Sequence, residues 1–132
     1  MKKNSYLYEK LGFSPATNKQ EYLSLLDKKP QNLITSKEEF DKYFQKSFNF
    51  LETESIEIEF DDQGFENFRY IDLADKLTFN QFSELLARLG MSLELFEGQK
   101  DHRCKRTHPT SPKECVYETG YTCPPRCGTT PG

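Results

Sequence analysis

Tryptophan is absent from this chain, and neither cysteine nor histidine occurs before residue 102. The first hundred residues therefore hold no thiolate nucleophile, no imidazole base and no imidazole or thiolate ligand for zinc. They also lack a glycine-rich loop of the kind that cradles phosphate. No apolar run approaches the roughly 20 residues needed to span a bilayer. The basic start MKKNSYLYEK is not followed by the apolar stretch of a secretion signal. These absences lead to the expectation of a cytoplasmic chain that does not meet the membrane and sits where thiols are mostly reduced. The C-terminal stretch has a different deficit. Residues 99–132 contain no Phe, Leu, Ile or Trp, so this segment cannot fold by apolar burial and needs a staple or a partner.

What is present is unevenly divided. A length of 132 residues suits one domain. All eleven Phe lie before residue 97, whereas all four Cys, both His and five of the seven Pro lie after residue 98. Residues 1–98 carry twelve Lys/Arg against eighteen Asp/Glu, and residues 99–132 carry six against three. The Lys/Asn/Phe-rich usage is of the kind found in low-GC bacteria. The division predicts an acidic folded recognition domain over 1–98 and a weakly basic Cys/Pro-rich tail over 99–132. The acidic balance of the first region argues against nucleic acid as its partner, because binding there depends on neutralising phosphates. It suits a basic protein surface instead.

Three helices are predicted in the first region. Thr17 and Gln20 read as a capping box, in which each side chain satisfies a backbone N–H at the helix start. Tyr22, Leu23, Leu25 and Leu26 then give an apolar face, and Pro30 ends it. Ser36 and Glu39 read as a second capping box, before Phe40, Tyr43, Phe44 and Phe48 on one face. That aromatic stripe is assigned to core packing rather than to a ligand groove. Thr78 and Gln81 open the third helix. Phe79, Phe82, Leu85, Leu86 and Leu89 form its apolar face, Arg88 suits its last turn, and Gly90 suits the position just past its end.

Between and after these helices the pattern changes to period two. In SIEIEF, Ile56, Ile58 and Phe60 alternate with Glu57 and Glu59, which predicts a half-buried strand. DDQG (61–64) is a turn signal, and NFRYIDL reads as the return strand of a hairpin. MSLELF (91–96) alternates again and predicts a third strand ending at Gly98. Glu57, Glu59, Asp61 and Asp62 lack the spacing of a calcium loop and are read as a solvated acidic face. The expected fold class is α+β: a small three-stranded sheet with helices on one face, plus an extended Cys/Pro-rich C-terminal tail.

Cys104, Cys115, Cys123 and Cys127 admit three readings. Two disulfides are one, with three possible connectivities. Zinc is the second, through Cys104-x3-His108 and Cys123-x3-Cys127, giving the set Cys104, His108, Cys123 and Cys127. Pro124 and Pro125 remove backbone donors that zinc loops commonly aim at sulfur, and Pro109 biases His108 toward an extended conformation. The third reading treats the tail as a substrate. Its prolines hold it extended for another protein's active site, and its cysteines are the reactive groups.

The segment SPKECVYETGYTCPPRCGTTPG resembles the core of a ribosomally synthesised and post-translationally modified peptide. In particular it resembles Cys-rich precursors processed by multinuclear non-haem iron oxidative enzymes. The resemblance implies a modifying enzyme, iron-dependent and helped by a recognition partner protein, that acts on Cys115, Cys123 and Cys127, and on Cys104. It implies no catalytic residue and no cofactor in the chain itself, zinc being the alternative. The expected function is thus a non-enzymatic precursor whose tail is modified while the first region is recognised, with export of the processed tail as an option. The alternative is a small interaction protein of the immunity or inhibitor type, with a tail stapled by disulfides or zinc. A third reading is an enzyme of unknown class.

Overall fold

The computed structural model describes residues 9–48, 56–106 and 108–127. The signal-peptide question at residues 1–8, Ser55 at the start of the alternating run, and residues 128–132 lie outside them.

Helix α1 (Lys19–Lys28) is capped one residue later than the sequence pattern suggests. Asn18, not Thr17, accepts from the Glu21 N–H at 2.9 Å. The Glu21 carboxylate in turn accepts from the Thr17 N–H at 2.8 Å. Asn is as good an N-cap as Ser or Thr, and Glu21, one position further on, takes the Thr17 N–H that Gln20 was expected to satisfy. Helix α2 (Lys37–Ser47) starts at Ser36 as predicted, and Ser36 accepts from the Glu39 N–H. Phe40 and Phe44 are fully buried on its inner face, with ring centroids 5.5 Å apart.

Strands β1 (Ile58–Phe60) and β2 (Phe65–Phe68) form the predicted hairpin, with Ile58 opposite Phe68. The return strand is shorter than NFRYIDL. It stops at Phe68, and Ile71–Ala74 form the short helix α3. Helix α4 (Phe79–Arg88) carries the full Thr78/Gln81 capping box. Its C-terminus is closed by two further bonds, from the Gly90 N–H to the Ala87 carbonyl and from the Met91 N–H to the Leu86 carbonyl. This closure needs a left-handed residue, and Gly90 supplies it at φ 102°. A Cβ at Gly90 would also lie 3.0 Å from the Tyr22 ring.

MSLELF does not form the expected third strand. Ser92 caps helix α5 (Leu93–Gln99) by accepting from the Leu95 N–H at 3.1 Å. A short run that satisfies both periods is decided by its surroundings. Here the backbone of Met91 forms an isolated parallel bridge with Ala16, and the Ser92 N–H donates to the Ala16 carbonyl. Leu95 and Phe96 then turn inward on a helical face.

Among the described residues the sheet has four strands, all paired antiparallel, in the order β1-β2-β4-β3. Its other two strands, β3 (Lys100–Lys105) and β4 (Glu114–Thr122), lie beyond residue 98. The segment expected to be an extended tail thus completes the sheet, with strand β4 seated between β2 and β3. Phe68 opposite Thr122 joins β4 to β2, whereas β3 and β4 pair along most of their length. The main core gathers α1, α2, β1, β2, α4 and α5 around Tyr22, Phe40, Phe44, Phe65, Phe68, Leu85, Leu86 and Phe96. Among the described residues, no helix is long and apolar enough to cross a membrane.

Candidate functional site

The β3–β4 hairpin brings the four cysteines to one end of the sheet. Cys104 and Cys115 are direct cross-strand partners, so their side chains leave the same face of the sheet. Neither bonds to the other. Cys104 pairs with Cys127 across 23 residues, and Cys115 pairs with Cys123 across 8. Both bonds hold the CPPRC loop down on the hairpin. Within that loop the Cys127 N–H donates to the Pro124 carbonyl at 3.1 Å. Cys104 and Cys123 are buried, while Cys115 and Cys127 are partly exposed. The Gln99 side-chain amide at the end of α5 lies against the Cys115–Cys123 bond. Its Nε2 is 3.2 Å from the Cys123 Sγ, 3.2 Å from the Cys123 carbonyl and 3.9 Å from the Cys115 Sγ.

His108 stands apart from this arrangement in its contacts. It is exposed in the turn between β3 and β4, and its Nδ1 pairs with the Thr110 hydroxyl at 3.0 Å. With the sulfurs bonded to one another, no group of three or more His, Cys, Asp or Glu among the described residues is arranged to hold a metal ion.

Two polar clamps tie the cysteine end to the acidic hairpin. Sequence reasoning missed both. Asn67, only 4% exposed, points its amide at the backbone of Cys104. Its Oδ1 accepts from the Cys104 N–H at 2.7 Å, and its Nδ2 donates to the Cys104 carbonyl at 2.9 Å. The side chain thus pairs with the strand as another backbone would, and satisfies groups whose burial without partners costs free energy. A single Asn inside a strand pattern gives no sequence signal of this.

Arg126 of the CPPRC loop is the second clamp. Its Nη2 reaches Asp61 at 2.7 Å, the Phe65 carbonyl at 3.0 Å and the Gly64 carbonyl at 3.2 Å. Burial on its own would raise the Asp61 carboxyl. The Gln63 N–H, the Arg126 guanidinium and the Gly64 N–H outweigh it and hold the group below the usual carboxylate range. Beneath this clamp, the Tyr22 hydroxyl and Arg126 Nε are buried without hydrogen-bond partners among the described residues. Burial pushes the Tyr22 hydroxyl up to about 12, against the opposing pull of Arg126 beside it.

Of the four acidic residues read as a solvated face, Glu57 and Asp61 are engaged by this segment. Glu57 accepts from the Tyr121 hydroxyl at 2.6 Å and lies 3.9 Å from Arg103. Glu59 accepts from Asn67, and Glu66 pairs with Lys113. A groove of about 480 Å³ opens beside them, lined in part by Glu59, Glu66, Cys104, Lys105, Arg106 and Lys113. On the hairpin itself, Tyr117 is 72% exposed yet held. Its ring meets His102 edge-on at 6.1 Å, and its hydroxyl accepts from Thr119 at 3.1 Å. The aromatic stripe of α2, in contrast, is core, as the sequence reading had it. No known protein family, curated protein or solved structure matches this chain.

Proposed function

We propose that this chain is a small, non-enzymatic interaction protein whose C-terminal segment is stapled by disulfides and presents a binding face to another protein. One observation carries the reading: both disulfides fix the segment that completes the sheet, so its cysteines are spent on structure. A segment destined for an enzyme's active site would keep free thiols and a free backbone. Here the thiols are paired and the backbone is in the sheet, which weighs toward the interaction reading over the precursor reading. Disulfides persist in oxidising compartments, so the proposal puts the folded chain there and not in the cytoplasm. The helices cover one face of the sheet in this reading, and the outer surface of the hairpin meets the partner. Tyr117 is the anchor, because a large ring already held in place loses little freedom on binding.

Protein isolated from its native host without reductant tests this. Peptide mapping should give two disulfides, Cys104–Cys127 and Cys115–Cys123, with no other mass change. Capture with the oxidised protein should then recover a partner that Tyr117→Ala no longer holds. A covalent modification on Cys115, Cys123 or Cys127 in host material would defeat the reading. It would restore that of a precursor, with its iron-dependent enzyme.

A further inference from the structure

We infer that the four cysteines form a second, metal-binding state: when both disulfides are reduced, Cys104, Cys115, Cys123 and Cys127 together bind one zinc ion.

Cys104 is bonded to Cys127, Cys104 faces Cys115 across the ladder, and Cys115 is bonded to Cys123. The turn between Cys123 and Cys127, closed by the Cys127 N–H to Pro124 carbonyl bond, completes the ring. Four sulfurs around a tetrahedral zinc at about 2.3 Å stand about 3.8 Å from one another. Opening each disulfide to that separation is a side-chain movement, because the Cα atoms of the bonded pairs are already 5.9 and 6.2 Å apart.

The surroundings suit a thiolate cluster. Pro124 and Pro125 offer no N–H to sulfur, but the Gln99 amide does. Its Nε2 already lies 3.2 Å from one sulfur and 3.9 Å from another, which is an outer-shell donor in place. Four thiolates around Zn²⁺ carry a net double negative charge. The groove beside Cys104 is lined by Arg103, Lys105, Arg106 and Lys113 together with Glu59 and Glu66, and these cations, three of them shared with carboxylates, offset part of that charge. Cys115 and Cys127 are partly exposed, so a reductant has a route to one sulfur of each bond.

The chemistry balances with a dithiol. Each S–S bond breaks as two electrons and two protons pass from the dithiol to the cysteine sulfurs, and the dithiol leaves as its own disulfide. Zn²⁺ then forms four Zn–S bonds and releases four protons. This ligand set differs from the spacing-based set in one member: Cys115, the cross-strand partner of Cys104, replaces His108. The inference does not rest on the partner proposed above, since it concerns the reduced chain alone.

The test uses the full chain, reduced with a phosphine that is then removed, and titrated with Zn²⁺ or Co²⁺ alone. One equivalent should bind. The Co²⁺ form should show thiolate charge-transfer and tetrahedral bands, and X-ray absorption of the zinc form should count four sulfurs. Cys115→Ser should lose stoichiometric binding, His108→Ala should keep it, and Gln99→Leu should weaken it about tenfold. The X-ray count needs no variant, so it stands even where Cys115→Ser fails to fold. A count of three sulfurs and one nitrogen, binding lost in His108→Ala, or no saturable binding by the reduced chain would overturn the inference.

Discussion

The residues before Gly98 and those after it are held by different forces. The main apolar core draws every member from residues 16–96. Beyond Gly98 the buried side chains are few, among them Cys104, Thr122, Cys123 and Pro124. That segment is held by two disulfides, by backbone pairing, and by the Asn67 and Arg126 clamps. The charges divide in the same way. The first region is acidic and the second basic, and ion pairs join Glu57 to Arg103, Asp61 to Arg126 and Glu66 to Lys113. A segment without a core is therefore fixed by chemistry that does not depend on apolar area. Part of the acidic surface that suited a basic partner already has one within the chain.

The comparison breaks most visibly if the second region is removed. A chain ending at residue 98 loses β4, the strand paired to β2 on the side away from β1, and takes Cys104 from Asn67 and Arg126 from Asp61. Its thermal transition should lose cooperativity, as read by calorimetry. A sharp transition would show that the first region folds alone. Leu86→Ala tests the core itself. Leu86 is fully buried, so denaturant unfolding should show a loss of about 2–5 kcal/mol. Replacing Cys104 and Cys127 together by Ser should cost about 3 kcal/mol, since the bond closes a loop of 23 residues. The Cys115 and Cys123 pair closes a shorter loop of 8, and its loss should cost less in the same melts.

Arg126→Met sharpens the comparison by removing only the polar clamp. It should cost about 2 kcal/mol, the scale of hydrogen bonds to a charged group. It should also flatten part of the acid response. Asp61 has a folded pKa below its unfolded value, so its contribution is present above the unfolded pKa and lost as pH falls through the folded one. Stability of the native chain should thus fall as pH drops below about 4, with a shallower fall in Arg126→Met. A fall of equal slope in both proteins would remove Asp61 from the account. The smallest effect belongs to Phe79→Ser. Its ring was expected on the apolar face of α4 but is 72% exposed at the first helical position. The substitution should change stability by no more than about 0.5 kcal/mol.

The helices were legible where capping and periodicity agreed. Thr78, Gln81 and Gly90 mark both ends of α4 through bonds made within a few residues. The same logic placed α2 at Ser36 and missed the start of α1 by a single residue. Reading 91–96 as a strand failed because its alternation also fits one face of a short helix, and Ser92 caps that helix. The tail's strands were hidden for another reason. Lys100–Lys105 and Glu114–Thr122 carry little apolar alternation, so the period that marks a strand is weak there. The candidate site was half visible. Its four cysteines stood out by their clustering, whereas Asn67, Gln99 and Arg126 act only through partners distant in sequence.

By itself, the sequence determined the α+β class, the aromatic core of α2, the acidic hairpin and the concentration of cysteine in the last thirty or so residues. These follow from side-chain type and spacing, which act over one or two turns of chain. Only the tertiary structure decided that β4 lies between β2 and β3, that Cys104 faces Cys115 yet bonds to Cys127, and that Arg126 closes on Asp61. Each of these joins residues across a loop whose closure no local preference encodes. Four cysteines allow three pairings, and the fold joins Cys104 to Cys127 and Cys115 to Cys123, each with Cα atoms within disulfide reach.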